Sequence, residues 1–331
     1  MKKMVIHFLM GIFSFSLYAV PEDSFAKEYN SLILPYIRAN SVLGEIKAAD
    51  GSILKWQRIS TADSHRVMIL LGGHTESYVK YSELFYDLRD MGLSIYALDQ
   101  RGQGFSSRML PDREKDYVDD YHRYVTDLEQ FIADVVRPSA GAKVILLGHS
   151  LGGAVAAAYA EKHPSQLAGL ILSSPYLGSK AGPSAMFILQ VLDFFGMGKE
   201  YVPGGGPFHI VPFEKNKETH SRVRHERKIQ DYLDAPAIRL GYPTNHWMTQ
   251  LEKMGKEIRK NAKKFATPVL VLQAGKDEYA DTEVQDDFCA NIQNCEKVVI
   301  AEAFHEILIE TDEIRDVALS TIRFFIQKCC P

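Results

Sequence analysis

Cysteine is scarce and late in this 331-residue chain: there are four, and none precedes Cys289. Nothing near the N-terminus can therefore carry a lipid on a cysteine behind a leader. The absence of any Cys-x-x-Cys pair argues against a cysteine-built zinc site. The dipeptide His305-Glu306 lacks the second histidine that a metalloprotease helix requires, because Ile309 stands there. Positive charge is not in surplus either: 38 Lys and Arg stand against 42 Asp and Glu, a formal net charge of -4. Binding to a nucleic-acid backbone needs a clustered basic surface, so that class of partner is set aside. No internal repeat and no low-complexity tract is found.

What is present begins with a leader. Lys2 and Lys3 precede an apolar run from Met4 to Val20, followed by small residues at Ala19, or at Ser24 and Ala26. This is the pattern of a secretory signal peptide over residues 1–26, with an uncleaved membrane anchor as the alternative. Export, to a periplasm or to the medium, places the cysteines in an oxidising compartment. Cys289 and Cys295 are close enough in sequence to bridge, although four cysteines allow three pairings.

Beyond the leader, 46% hydrophobic and 24% charged residues suit one α/β core carrying an insertion. The turn Asp50-Gly51 separates two short segments, 42–48 and 53–59, that read as an antiparallel hairpin at a sheet edge. Apolar runs without alternation then recur at 67–71, 94–98, 144–147, 169–172 and 269–273, as strands buried on both faces do, and 296–300 reads as a further strand. Between them, 81–91, 121–136, 151–163 and 312–328 carry apolar residues three and four apart. Strand alternating with helix predicts an α/β fold with a mostly parallel, doubly wound sheet. The alternation stops between residues 175 and 266. A gap that long needs helices of its own, expected at 184–195, 219–233 and 246–264, and it reads as a helical cap inserted between core segments 27–174 and 267–331.

Serine-based ester hydrolysis needs a hydroxyl beside a base, a carboxylate that orients the base, and N–H donors aimed at the developing oxyanion. Gly148-His149-Ser150-Leu151-Gly152 follows an apolar strand and opens an Ala-rich helix, the strand–turn–helix setting of a nucleophile elbow. Ser150 is the candidate nucleophile. Asp277, on the turn after 269–273, is the candidate acid, with Glu278 and Asp281 as rivals. His305, before the last helix, is the base that completes the chain order serine, acid, histidine. One oxyanion donor is expected from the Leu151 N–H and another from the loop Gly72-Gly73-His74-Thr75-Glu76-Ser77. No metal or organic cofactor is implied.

Gly72-Gly73-His74, Asp99-Gln100-Arg101-Gly102-Gln103-Gly104-Phe105-Ser106 and Gly148-His149-Ser150-Leu151-Gly152-Gly153 together resemble the monoacylglycerol lipase and lysophospholipase branch of the α/β-hydrolases. Within that branch, Glu76-Ser77-Tyr78-Val79-Lys80-Tyr81, Thr219-His220-Ser221-Arg222, Asn245-His246-Trp247 and His305-Glu306-Ile307-Leu308 are similar to the bacterial lysophospholipase L-two group. The resemblance runs through nearly everything after the leader. It implies the triad Ser150, Asp277 and His305, and the His74 N–H as the second oxyanion donor. Two departures stand out: the branch usually has His-Gly where this chain has Gly72-Gly73, and the leader is not a feature associated with it.

The implied substrate is a lipid ester, a lysophospholipid first and a monoacylglycerol or simple ester second. A catalytically inactive lipid-binding protein is the alternative of a different class. Arg222 and Arg224, in the basic run from His220 to Lys228, are expected to meet a head-group phosphate, one of them reaching it and the other not. The apolar stretch from Met186-Phe187-Ile188-Leu189 to Phe194-Phe195 is expected either to meet a membrane surface or to pack as cap core.

Overall fold

The computed structural model describes residues 19–60 and 65–330. Eight strands form one sheet in the order β1-β2-β4-β3-β5-β6-β7-β8. They are β1 (Ser41–Lys47), β2 (Ile53–Ser60), β3 (Arg66–Leu71), β4 (Ser94–Leu98), β5 (Lys143–His149), β6 (Gly169–Ser173), β7 (Val269–Ala274) and β8 (Cys295–Ile300). Only β2 runs antiparallel to its neighbours β1 and β4, so the turn at Asp50-Gly51 does make an edge hairpin. From β4 to β8 every pairing is parallel. In the central strands β5, β6 and β7 almost every residue is buried, because helices cover both faces of the sheet. This is the mostly parallel, doubly wound α/β sheet that the apolar runs predict.

The helices are α1 (Phe25–Glu28), α2 (Leu34–Asn40), α3 (Ser82–Asp87), α4 (His122–Phe131), α5 (Leu151–Lys162), α6 (Gly182–Leu192), α7 (Arg222–Asp234), α8 (Asn245–Lys260), α9 (Thr282–Ala290) and α10 (Asp312–Cys329). Between β6 and β7 lie α6, α7 and α8. The helix expected from residue 219 starts three residues later, because Thr219 and His220 are tied to Glu310 and the Ser221 hydroxyl caps α7 at the Arg224 N–H. Thr244 caps α8 in the same way. The inserted segment is not all lid: Trp247, Leu251, Met254 and Ile258 of α8 belong to the main hydrophobic core.

Residues 1–18 of the expected leader lie outside the described residues. Val20 is 3% exposed and Phe25 2%, both within the second hydrophobic core that lies across the sheet from the first. A chain starting at Lys27 would lose both side chains from that core, and one starting at Val20 would keep them. Cys289 and Cys295 form a disulfide between α9 and β8, and Cys329 and Cys330 are free thiols.

Candidate active site

Ser150 sits on the turn between β5 and α5 at φ 50 and ψ -114, a conformation that non-glycine residues avoid. Its neighbours make the turn possible. A Cβ on Gly148 would lie 2.3 Å from the Gly152 carbonyl oxygen, and one on Gly152 would lie 2.1 Å from that of Leu71. Neither position has room for any other residue, and the Gly-x-Ser-x-Gly spacing follows from that. The Ser150 N–H donates to the Ser173 carbonyl at 3.0 Å, which fixes the elbow to β6.

Asp277 follows β7 and is 1% exposed. Its Oδ2 lies 2.7 Å from His305 Nδ1, while its Oδ1 accepts from the N–H groups of Tyr279 at 2.8 Å and Ala280 at 3.0 Å. The rivals are engaged elsewhere: Asp281 caps α9, and Glu278 pairs with Lys217. Burial opposes charge on the His305 ring, but the hydrogen bond and charge of Asp277, with Glu306 and Glu218 behind it, raise its pKa above the usual imidazole value. Burial likewise works against the Asp277 carboxylate, yet His305 and the two N–H donors bring its pKa below the ordinary value. The Ser174 hydroxyl donates to the His305 carbonyl at 2.8 Å and holds the loop.

Among the N–H groups of the loop after β3, that of Gly73 donates to Glu76 at 2.5 Å and that of Thr75 to Gln103 at 2.8 Å. The intervening His74 N–H has no partner among the described residues, and neither has that of Leu151 at the first turn of α5. Both residues line the same cavity as Ser150 and His305. Two free donors beside a serine and a histidine are what a tetrahedral oxyanion requires.

That cavity measures about 720 Å³ and is walled mainly by apolar side chains, among them Met186, Leu189, Phe208, Trp247, Met248 and Leu251. From α7 it takes His225, Lys228, Ile229 and Tyr232, positions three and four apart on one helical face. Arg222 and Arg224 lie off that face, and the expectation that either reads a head group is corrected. Arg222 is exposed, pairs with Glu214 and Glu226 and stacks on Phe213. Arg224 is 2% exposed and points away, into Glu83 and Asp312. The cation at the cavity is Lys228.

Sequence reasoning missed a buried ionic cluster beneath the site. Lys80 is hydrogen-bonded to both Glu76 and Glu306. Lys228 reaches Glu218 at 2.8 Å and Glu306 at 3.6 Å, and His149 Nε2 lies 3.2 Å from Glu306. Glu76, His149 and Glu306 converge as metal ligands do, but the Lys80 ammonium already bonds to both carboxylates. In the sequence Glu306 stands beside the candidate base, and Glu76 and Lys80 stand four apart, but nothing there brings the two segments together. The inserted segment is also tied to the loops that carry Thr75 and His305. The Glu306 N–H donates to the Glu218 carbonyl at 2.9 Å, and the Tyr232 hydroxyl donates to the Thr75 carbonyl at 3.0 Å.

The chain matches the family model described as "Serine aminopeptidase, S33" over residues 62–312. It is 34% identical over 297 residues to lysophospholipase L2 of Escherichia coli strain K12, covering 86% of this chain and 87% of that protein. Identity to the probable lysophospholipase L2 of Haemophilus influenzae is 31%, over 79% of this chain and 84% of the relative. A solved soluble variant of the monoglyceride lipase of Saccharomyces cerevisiae superposes with a TM-score of 0.69 at 20% identity, covering 87% of this chain and 96% of that one.

Proposed function

The chain belongs to the serine aminopeptidase S33 family of α/β-hydrolases, as a carboxylic ester hydrolase of the lysophospholipase and monoglyceride lipase kind, and from there we propose that its substrate is a lysophospholipid. The observation that carries this reading is the large apolar cavity with Ser150 and His305 in its wall, in a chain aligned almost end to end with lysophospholipase L2. An acyl chain suits such a cavity better than a peptide does.

In the proposed mechanism His305 takes the Ser150 proton as the hydroxyl attacks the ester carbonyl, and Asp277 stabilises the resulting imidazolium. The N–H groups of His74 and Leu151 hold the oxyanion, each contributing about 3–4 kcal/mol by comparison with measured donors. The glycerol-bearing alcohol leaves with the proton from His305. Water, activated by the same ring, then frees the fatty acid from Ser150.

Fatty acid release from lysophosphatidylcholine, lysophosphatidylethanolamine and monoolein, measured side by side, tests the substrate. A monoolein rate above both lysophospholipids would overturn it in favour of a monoacylglycerol lipase. Labelling by a fluorophosphonate that is lost in Ser150→Ala tests the chemistry, and no labelling of the wild type would mean an inactive lipid-binding protein.

We place the enzyme outside the cytoplasm and against a membrane surface. The leader pattern and the Cys289–Cys295 bridge support the first, and N-terminal sequencing of the exported protein that returned Met1 would refute cleavage. A ridge on and after α6 supports the second: Phe187 is 66% exposed, Phe194 84% and Phe195 76%. Replacing Phe194 and Phe195 by Asp should abolish cosedimentation with phospholipid vesicles, and unchanged binding would sink the assignment of that ridge.

A further inference from the structure

The loop after β3 holds a strained residue next to its oxyanion donor. Thr75 has φ 65, in the left-handed region that a β-branched side chain avoids. It can relax only by swinging one of the two peptide planes that flank it, and a side chain pins each of them. The Thr75 N–H donates to Gln103 Oε1 at 2.8 Å, and the Tyr232 hydroxyl donates to the Thr75 carbonyl at 3.0 Å. The peptide just before these two carries the His74 N–H. On the basis of the Ser150 and His74 assignments above, we propose that Tyr232, a residue of the inserted segment, is a positioning residue for the oxyanion hole. By holding the Thr75 carbonyl it fixes the backbone conformation that presents the His74 N–H to the cavity.

The other holds on this loop lead to the same part of the molecule. Gln103 Nε2 donates to Asp116 Oδ2 at 2.5 Å, which leaves Oε1 for Thr75. The Asp116 carbonyl accepts from the N–H of Thr244 at 3.2 Å and from its hydroxyl at 2.7 Å, and Thr244 is the residue that caps α8. The His74 ring packs on Trp247 of α8, 4.9 Å between centres. The holds on Thr75 and on the His74 ring therefore all end on α7 or at the start of α8. Gln103, Asp116 and Tyr232 are buried, so water does not compete for these bonds.

A donor fixed in advance needs no reorganisation when negative charge develops on the ester oxygen, and this is what makes an oxyanion donor effective. Without the Tyr232 hydroxyl the Thr75 carbonyl is released, the backbone can leave the left-handed region, and the His74 N–H moves with it. The apolar wall that takes the acyl chain is untouched. The loss therefore falls on the transition state and not on substrate binding.

Tyr232→Phe keeps the ring in the cavity wall and removes only the hydroxyl. Its kcat on p-nitrophenyl butyrate should fall about tenfold, a part of the roughly 10²–10³ that a whole donor contributes, with KM within about twofold of wild type. An alkyl trifluoromethyl ketone, which the Ser150 hydroxyl converts to a tetrahedral oxyanion adduct, should bind about tenfold more weakly. An unchanged kcat, or a raised KM with kcat preserved, overturns the proposal. Glycine adopts a left-handed φ without strain, so with Thr75→Gly also present the Tyr232→Phe loss in kcat should shrink below about threefold. A tenfold loss in both backgrounds refutes action through Thr75. If Tyr232→Phe does not fold, Gln103→Met, which releases the Thr75 N–H instead, is read by the same kcat and KM criteria. Fluorophosphonate labelling of the wild type separates the two readings. Its absence sinks the Ser150 assignment, whereas normal labelling with an unchanged kcat in Tyr232→Phe sinks the positioning role alone.

Discussion

Replacing Arg224 by Met should cost the protein stability and leave its choice of substrate alone. The guanidinium is buried among groups that all depend on it. Nε and Nη2 bond to Glu83 at 2.9–3.1 Å, Nη2 also reaches Asp312 at 2.8 Å and the Val20 carbonyl at 3.2 Å, and Nη1 donates to the Glu310 carbonyl at 2.9 Å. Breaking one side of a buried ion pair costs about 3–5 kcal/mol, most of it from the charge left behind. Here Glu83 retains Arg315 at 3.2 Å, and Asp312 is partly exposed, which places the expected loss near about 3 kcal/mol. For a chain of this size that corresponds to a fall in Tm of about 4 °C. Calorimetry gives the stability, and kcat/KM on a lysophospholipid and a monoacylglycerol of equal acyl length, measured at 20 °C, gives the selectivity. The ratio of the two should stay within about twofold of wild type. A wild-type Tm, or a tenfold selective loss on the lysophospholipid, equivalent to about 1.4 kcal/mol, would refute the assignment of Arg224 to a structural junction.

Asp277→Asn should lower kcat by orders of magnitude, because the wrong tautomer of His305 is then favoured. Asp281→Asn keeps a capping side chain and should leave kcat unchanged; equal losses in a steady-state assay would reopen the choice of acid. Gly152→Ala forces a Cβ against the Leu71 carbonyl and should yield little soluble protein, so normal expression with a normal melting curve would contradict the elbow geometry. Because Asp277 outweighs burial in raising the His305 pKa, wild-type kcat/KM should rise with pH and reach half its plateau above the ordinary imidazole value of about 6.5. A half-point below that value would show that the ring is not governed by its carboxylate.

The sheet was legible in the sequence because strands covered on both faces appear as uninterrupted apolar runs, and 67–71, 144–147 and 269–273 are such runs. The elbow was legible because steric need places glycines two residues either side of Ser150. Arg224 was misread for a physical reason: a basic run on a helix is usually solvated, and only the packing of Val20, Glu83 and Asp312 around α7 buries it. The ionic cluster was illegible because Glu76, His149, Lys228 and Glu306 come from four separate segments and meet only when the cap docks. The place of α8 in the chain does not show that it packs both against α6 of the inserted segment and against α5 in the main core. Small residues at Ser24 and Ala26 look cleavable in isolation, and only the structure shows that Phe25 between them is a core residue.

Ser150 also bears on how the chain would drift if its chemistry fell out of use. A non-glycine residue at φ 50 and ψ -114 costs about 1–3 kcal/mol relative to a relaxed backbone, and glycine would occupy the same turn without that strain. Folding alone therefore favours losing the side chain: Ser150→Gly should melt higher than wild type, whereas Ser150→Ala, which keeps the Cβ, should not. The proposed nucleophile is a standing stability deficit, and a protein kept only for binding would be better folded without it.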